Sequence, residues 1–443
     1  MNGCLRKENK MKICVQGTWH LGSVTAACLA DKGHKVIGLD YDTNVINYLS
    51  KGKAPIYEPG LDDLIEKGLA EKRLSFVDRQ IDQIIDQDIL WITYDTPVDD
   101  DDRADIEFVF DQVEKTIPYL QCGMTVLVSS QMPVGSIRRL EKLTQKNHPE
   151  LKIGFAYSPE NLRLGKAIDI FMNPDRIVVG FRSKRDQNKI RKMLLPITEK
   201  IEWMTIESAE ITKHAINAFL ATSITFANEI ATVCELTGAD AKQVERGLKS
   251  EQRIGPKAYL SPGSAFAGGT LARDIQFLNQ VGDNEGIKLP LLSSVKPSND
   301  QHKNWAMRRL LAKFSDISGK KITIWGLAYK PGTDTLRRSL AVELANELIE
   351  KGVILTIHDP LVKSLPDTWK GKVIRSSHPL DSVFEADALV VATECAIYKE
   401  VEVAKIPSIA PGIMILDANR YLDSLLNLDG IEYISVGQIK KEY

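Results

Sequence analysis

An alternation of short apolar strands and helices, beginning at Lys12, constrains this chain more than any other feature. Residues 12–16 (KICVQ) read as a buried strand, and Gly17 breaks it. An apolar helix follows through Ala30, Gly33 ends it, and residues 35–39 (KVIGL) form the next strand. Strand, helix, strand at this spacing is a βαβ unit, whose parallel strands need a right-handed crossover. Further strands are expected at 89–93, 125–129, 153–157 and 177–180. Such alternation predicts a doubly wound parallel α/β sheet.

The pattern changes at Ser208. From there to Thr237 the chain has no Gly or Pro, and Ile211, Ala215, Ala218, Phe219, Thr222, Phe226, Ile230 and Val233 recur at helical spacing. This predicts one long helix with Ser208 as its N-cap, longer than one domain needs and so a bridge between domains. Helices and loops are expected to about residue 313. Alternation then resumes with strands at 321–325, 353–358, 388–393 and 413–416 and a helix at 339–351. The expected architecture is α/β: two Rossmann-like doubly wound parallel-sheet domains joined by a long helix and a central helical domain. The expected boundaries are an extension at 1–11, then 12–207, 208–313 and 314–443.

Composition narrows the class. The 443 residues suffice for two to four domains at roughly 100–200 residues each. Fifty-seven basic against 59 acidic residues leave a net charge of −2, so no global field favours nucleic acid or an anionic membrane. No apolar run approaches the ~20 residues of a membrane helix, and residues 1–11 lack the apolar core of a signal peptide. Cys4, Cys14, Cys28, Cys122, Cys234 and Cys395 lie far apart with no Cys-x-x-Cys pair. That spacing argues against a zinc site or a disulfide framework and fits a reducing cytoplasm.

A dinucleotide site needs a glycine-rich turn between strand and helix, where the helix N-terminus offers amides to a pyrophosphate. Here the turn is Gly17-Thr18-Trp19-His20-Leu21-Gly22, with Trp19 in place of the middle glycine of G-x-G-x-x-G. Asp40, ending the next strand, stands where an acid accepts ribose hydroxyls and disfavours a 2′-phosphate. The cofactor expected from the turn and the acid is NAD. The alternative is a Rossmann-like turn that binds nothing.

Five further motifs occur in order: Ala54-Pro-Ile-Tyr-Glu-Pro-Gly60, Tyr157-Ser-Pro-Glu-Asn-Leu-Arg163, Asn173-Pro-Asp-Arg176, Lys213-His-Ala-Ile-Asn-Ala-Phe-Leu-Ala-Thr222 and Gly326-Leu-Ala-Tyr-Lys-Pro-Gly-Thr-Asp334. Together, from about Lys12 to Arg420, they resemble the UDP-glucose/GDP-mannose dehydrogenase family. The resemblance implies a homodimer, an N-terminal NAD domain, a central helical dimerisation domain and a C-terminal domain for a nucleotide sugar, with a UDP-hexose as the default. It implies hydride transfer from the sugar C6 alcohol to NAD, performed twice. In the second step a cysteine thiolate traps the aldehyde and water cleaves the resulting thioester.

The family's cysteine lies in a loop resembling G-F-G-G-S-C-x-x-K-D. The corresponding stretch is Ala265-Phe-Ala-Gly-Gly-Thr-Leu-Ala-Arg-Asp274, which puts Thr270 at the cysteine position. A thiol ionises near pH 8.5 and can be tuned lower, whereas a threonine hydroxyl needs an adjacent base. By resemblance Lys213 stabilises the developing oxyanion, Asn217 holds the sugar or a water, and Asp274 partners Lys213 or a water. Lys213 and Asn217, one helical turn apart, share a face. Their bland reading is a solvated helix face. Glu160 matches the first glutamate of a family pair, and Leu164 takes the second place. Arg273 replaces the loop lysine. Lys330 and Arg253 match nucleotide-sugar contacts, with Arg253 reaching across the dimer. Phe266 matches a loop aromatic near the substrate, and Arg420 takes a terminal arginine's role beside Asn419. Thr96, Gln131 and Arg337 match cofactor contacts.

The departures cluster at Trp19, Asp95, Gln131, Leu164 and Thr270. The leading expectation is an NAD-dependent nucleotide-sugar oxidoreductase with an altered second step. Release of the aldehyde, direct oxidation of its hydrate, and transient oxidation with epimerisation or elimination are the outcomes left open. The competing expectation is a sugar-nucleotide-binding protein that has lost catalysis.

Overall fold

The computed structural model describes residues 10–78, 85–97, 104–160, 162–267 and 269–438. Most of the expected N-terminal extension, Cys4, Asn161 and Gly268 lie outside the described residues. Packing divides the chain into two compact units, residues 1–215 and 216–443.

In the first unit, β1 (Lys12–Gln16), β2 (Lys35–Asp40), β3 (Leu74–Asp78), β4 (Ile89–Ile92), β5 (Thr125–Val128), β6 (Gly154–Tyr157), β7 (Ile177–Phe181) and β8 (Ile201–Met204) form one sheet. The order among these strands is β3-β2-β1-β4-β5-β6-β7-β8. All pairs are parallel except β6 with β7, where Tyr157 opposes Gly180 in antiparallel register. The parallel expectation therefore holds up to β6 and turns over once. Both faces are covered: Ile13 and Val15 enter one apolar layer and Cys14 the other. A strand buried on both sides reads as a continuous apolar run, which is why β1 was legible. Met11, placed in the extension by sequence, already belongs to this core, and its N–H donates to His34 Nδ1 at 3.2 Å.

The second unit repeats the plan with β9 (Lys321–Trp325), β10 (Ile354–His358), β11 (Val373–Arg375), β12 (Ala388–Val391), β13 (Met414–Asp417) and β14 (Glu432–Ile434). The order is β11-β10-β9-β12-β13-β14, all parallel. This is the 3-2-1-4-5-6 order of a dinucleotide fold.

The two sheets share a latch. Gly17 N–H donates to Leu39 O at 2.9 Å, and Gly326 N–H to His358 O at 2.8 Å. The next amide in each case reaches the carboxylate that follows: Thr18 N–H to Asp40 Oδ2 at 2.6 Å, and Leu327 N–H to Asp359 Oδ2 at 2.7 Å. Both glycines adopt positive φ, 91° and 85°. A Cβ at either would run into the neighbouring crossover segment, Tyr94 in one sheet and Thr393 in the other. Glycine is required for the backbone angle and the close approach together.

One helix, Ile206–Thr237, runs through both units. It begins two residues before the expected start. Thr205, not Ser208, precedes its first turn, and Thr205 Oγ1 accepts from Ser208 N–H at 3.3 Å. Its start is tied to the first unit by Glu210, whose carboxylate accepts the amides of Gly135 and Ile137 at 2.8 and 3.0 Å. One turn on, His214 meets Met132 O at 3.1 Å. No described helix is long and apolar enough to cross a membrane.

Candidate active site

The cofactor candidates of the first unit gather at the C-terminal ends of β1, β2, β4 and β5. That is where the strand order reverses, between β1 and β4, and where open α/β sheets bind ligands. Gly22 lies on the first turn of the helix His20–Asp31, and a Cβ there would meet Gly17 O at 1.9 Å. The turn therefore closes only with glycine at both ends. Leu21 is buried in that turn. Asp40 is buried and accepts from Thr18. Thr96 Oγ1 donates to Gln131 O at 2.7 Å, so these two candidates are neighbours. The Ser130 hydroxyl, buried at the end of β5, has no hydrogen-bond partner among the described residues. A closed glycine turn, an acid and an orphaned hydroxyl at one crevice fit a dinucleotide. Trp19 stands at the helix N-cap with 44% of its surface exposed. Arg337 is exposed in the segment between β9 and the helix Leu340–Glu350 of the second unit.

His20 opens the same helix, and its Nε2 lies 3.0 Å from Glu58 Oε2. Glu160, after β6, is half-buried, and Lys213 Nζ donates to its backbone carbonyl at 2.6 Å. Burial pushes the Glu160 carboxyl above its usual range. The Lys213 charge opposes that push and Asp95 adds to it. A raised carboxyl is a stronger base than an ordinary carboxylate.

In the second unit Asn217 and Asp274 are buried and joined by a hydrogen bond from Asn217 Nδ2 to Asp274 Oδ2. The bland reading of a solvated face fails for Asn217, because the helix Thr270–Asn284 covers it with Asp274. Thr270 is the first residue of that helix and is exposed. Gly269, with φ 103°, precedes it. Asp274 lies one turn further along the same helix, at i, i+4.

The nucleotide-side candidates separate. Lys330 lines a cavity of about 320 Å³ at the C-terminal ends of β9, β12 and β13, again where strand order reverses. Trp305, Tyr329, Thr393, Glu394 and Asn419 line it with Lys330. Sequence reasoning missed most of these, although Tyr329 and Lys330 belong to one motif. Arg420 is turned away: its guanidinium pairs with Asp240 at 2.8 Å and its Nε donates to Ser435 Oγ at 2.8 Å. Asn419 takes the cavity position instead, and its Oδ1 accepts from Ser264 N–H at 2.7 Å. Phe266 is buried among Ala218, Ala221, Ile275 and Val295, which makes it a core residue of the helical region. Arg253 is exposed and pairs with Glu251 at 3.0 Å.

Among the described residues, burial works against the thiolate form at each buried cysteine. Burial pushes the Cys395 thiol up to about 11 and the Cys28 thiol to about 12, and it raises Cys14 and Cys234 as well. Cys122 is exposed, but it sits beside Glu150 O in the turn before β5.

Comparison with known proteins sets this geometry in a lineage. The chain is 30% identical to UDP-glucose 6-dehydrogenase of Pseudomonas aeruginosa, over 97% of this chain and 98% of that one. It is 33% identical to UDP-glucose 6-dehydrogenase TuaD of Bacillus subtilis, over 96% and 93%. The chain belongs to the UDP-glucose/GDP-mannose dehydrogenase family. Residues 11–198 match that family's NAD binding domain, 207–301 its central domain and 323–424 its UDP binding domain. The fold is also that of a UDP-glucose dehydrogenase from Pyrobaculum islandicum, with a TM-score of 0.85 at 26% identity, covering 97% of this chain and 98% of that one. As a member of this dehydrogenase family the protein is an NAD-dependent oxidoreductase. The crevice around Gly17, Gly22 and Asp40 lies in the NAD binding domain, and the cavity around Lys330 in the UDP binding domain.

Proposed function

We propose that this dehydrogenase oxidises the C6 alcohol of a UDP-hexose to the aldehyde and, lacking a thiol at position 270, does not proceed through a thioester. The observation that carries the reading is Thr270, exposed at the start of its helix where the family loop holds cysteine. Bound NAD supplies the hydride acceptor, held by Gly17 to Gly22 and Asp40, with Thr96, Gln131 and Arg337 as further contacts. Lys213 stabilises the alkoxide that forms as the alcohol loses its proton. Glu160, with its raised carboxyl, takes that proton. Asn217 and Asp274 orient the sugar. Lys330 meets the diphosphate and Arg253 reaches a partner subunit's substrate.

The homodimer belongs to the same reading. Phe219, Phe226 and Val233 recur every seven residues on the long helix and are 68%, 44% and 51% exposed. Apolar residues seven apart share one helical face, and an exposed apolar stripe marks an interaction surface. The three-part division at 207/208 and 313/314 and a cytoplasmic setting complete it.

The test is stoichiometric. Purified protein with excess NAD and limiting UDP-glucose should form one NADH per sugar and an aldehyde that a hydrazine traps. Two NADH per sugar, with an acid as product, would overturn the stop at the aldehyde.

A further inference from the structure

The motif Ala54 to Gly60 has no part in the chemistry described so far, yet Glu58 within it is 4% exposed. Its carboxylate accepts three hydrogen bonds from two distant segments. Oε2 takes His20 Nε2 at 3.0 Å and Gly165 N–H at 2.8 Å, and Oε1 takes Ala167 N–H at 2.9 Å. Burial alone would push this carboxyl up, but the His20 contact and the two amides outweigh it and hold the group below its usual range. An ionised carboxylate only accepts, so His20 carries a proton on Nε2. The two segments are the two halves of the candidate site in this unit. His20 opens the helix of the cofactor turn, Gly165 lies on the loop after Glu160, and Ala167 opens the helix Ala167–Met172 that follows it. Between them Leu164, which stands where the family has a second glutamate, is 42% exposed and gives the loop little anchorage.

We propose that Glu58 is a positioning residue for the oxidation: through His20 and the amides of Gly165 and Ala167 it holds the Glu160 loop against the cofactor turn. The proposal rests on the reading of Glu160 as proton acceptor. Neither a charged partner alone nor a loop cap alone accounts for the arrangement, because one buried carboxylate serves both segments at once. Loss of one leg displaces the base without removing it, and misplacement near the reacting centre lowers turnover more than binding.

Glu58→Gln tests the clamp. Whichever way the amide turns, its NH2 faces the N–H of Gly165 or Ala167, and one leg is lost. The expected result is a fall in kcat of about 10- to 100-fold. The NAD Kd and the KM for UDP-glucose should stay within about threefold, and amide exchange at Gly165 and Ala167 should accelerate at least about tenfold. His20→Gln, which keeps a donor for Glu58, should retain at least about tenfold more activity than His20→Ala, which does not. Unchanged kcat in Glu58→Gln, a parallel loss of melting temperature and every kinetic constant, or equal activity of the two His20 variants would overturn the proposal. If Glu58→Gln does not fold, the His20 pair decides. Absence of NADH formation by the native protein would overturn the function proposed above, and amide exchange would still report on the clamp.

Discussion

Arg420 sets its guanidinium 2.8 Å from the carboxylate of Asp240, a residue 180 positions earlier in the chain. The two side chains are 13% and 15% exposed. Asp240 also accepts from Gln243 N–H at 3.0 Å and so caps the helix Ala241–Ser250. Removing one partner of a largely buried pair leaves the other charge without compensation. Arg420→Ala should therefore destabilise the protein by about 2–4 kcal/mol in urea unfolding. Its affinity for UDP should change by less than about threefold in calorimetry, whereas Lys330→Ala should lose about tenfold. The reverse ranking would restore Arg420 to the nucleotide site.

Thr270→Cys tests the missing thiol. A cysteine at the first position of a helix has its thiolate favoured by the helix dipole. With UDP-glucose and NAD this variant should form a covalent adduct seen by intact mass. NADH per sugar should rise from about one toward two as the thioester route opens. A variant that matches the native protein in both readouts would show that position 270 does not face the reacting carbon.

Trp19 predicts an optical signal. Its indole is half-exposed in the glycine turn of the candidate cofactor crevice. NAD should alter its fluorescence, and Trp19→Phe should abolish most of that change. Trp19→Gly should tighten NAD binding by about three- to tenfold, because the backbone then approaches the ligand more closely. Weaker binding by Trp19→Gly would instead mean that the indole packs on the cofactor.

Acid stability has a defined origin in Glu207. Hydrogen bonds from Arg182, with help from Arg138, outweigh burial and hold its carboxyl at about 2, against 4.5 ordinarily. A lowered carboxyl contributes stability in full above its unfolded value and loses it as pH falls through the folded value. Glu207→Gln should cost about 1–2 kcal/mol at pH 7, less than the full shift because the pair is partly solvated. The difference from the native protein should shrink below pH 4.5 and vanish near pH 2 in unfolding titrations.

The strands at the centre of each sheet were legible because both of their faces are buried. β1 and β9 match their expected bounds, each ended by a glycine that the latch requires. The edge strands β3, β8, β11 and β14 were not legible. Ile201–Met204 and Glu432–Ile434 are only half-buried and carry no continuous apolar run. The reversal of β7 left no trace either, since strand direction is set by the connection and not by composition. At the candidate site, Asn217 and Asp274 could be named from their motifs, but their contact could not, because they lie 57 positions apart in sequence. The Arg420–Asp240 pair was not legible because its partners lie 180 positions apart, nor was the burial of Phe266, because a loop aromatic and a core aromatic look alike in one dimension.

The paired latches carry a consequence for how this fold can change. Each ties the start of its sheet together with backbone amides, one glycine and one carboxylate, Asp40 in the first and Asp359 in the second. NAD and a UDP-sugar are both ribose-bearing pyrophosphate esters, which is consistent with one backbone plan recurring in the NAD binding and UDP binding domains. Around the two candidate sites the side chains differ: Trp19 and Gln131 border one, and Trp305, Tyr329 and Asn419 line the other. The latch amides and glycines do not depend on those side chains, so a substitution at their positions leaves the backbone closure of each sheet intact. A tryptophan at position 19 and a threonine at position 270 are the kind of change such a scaffold permits.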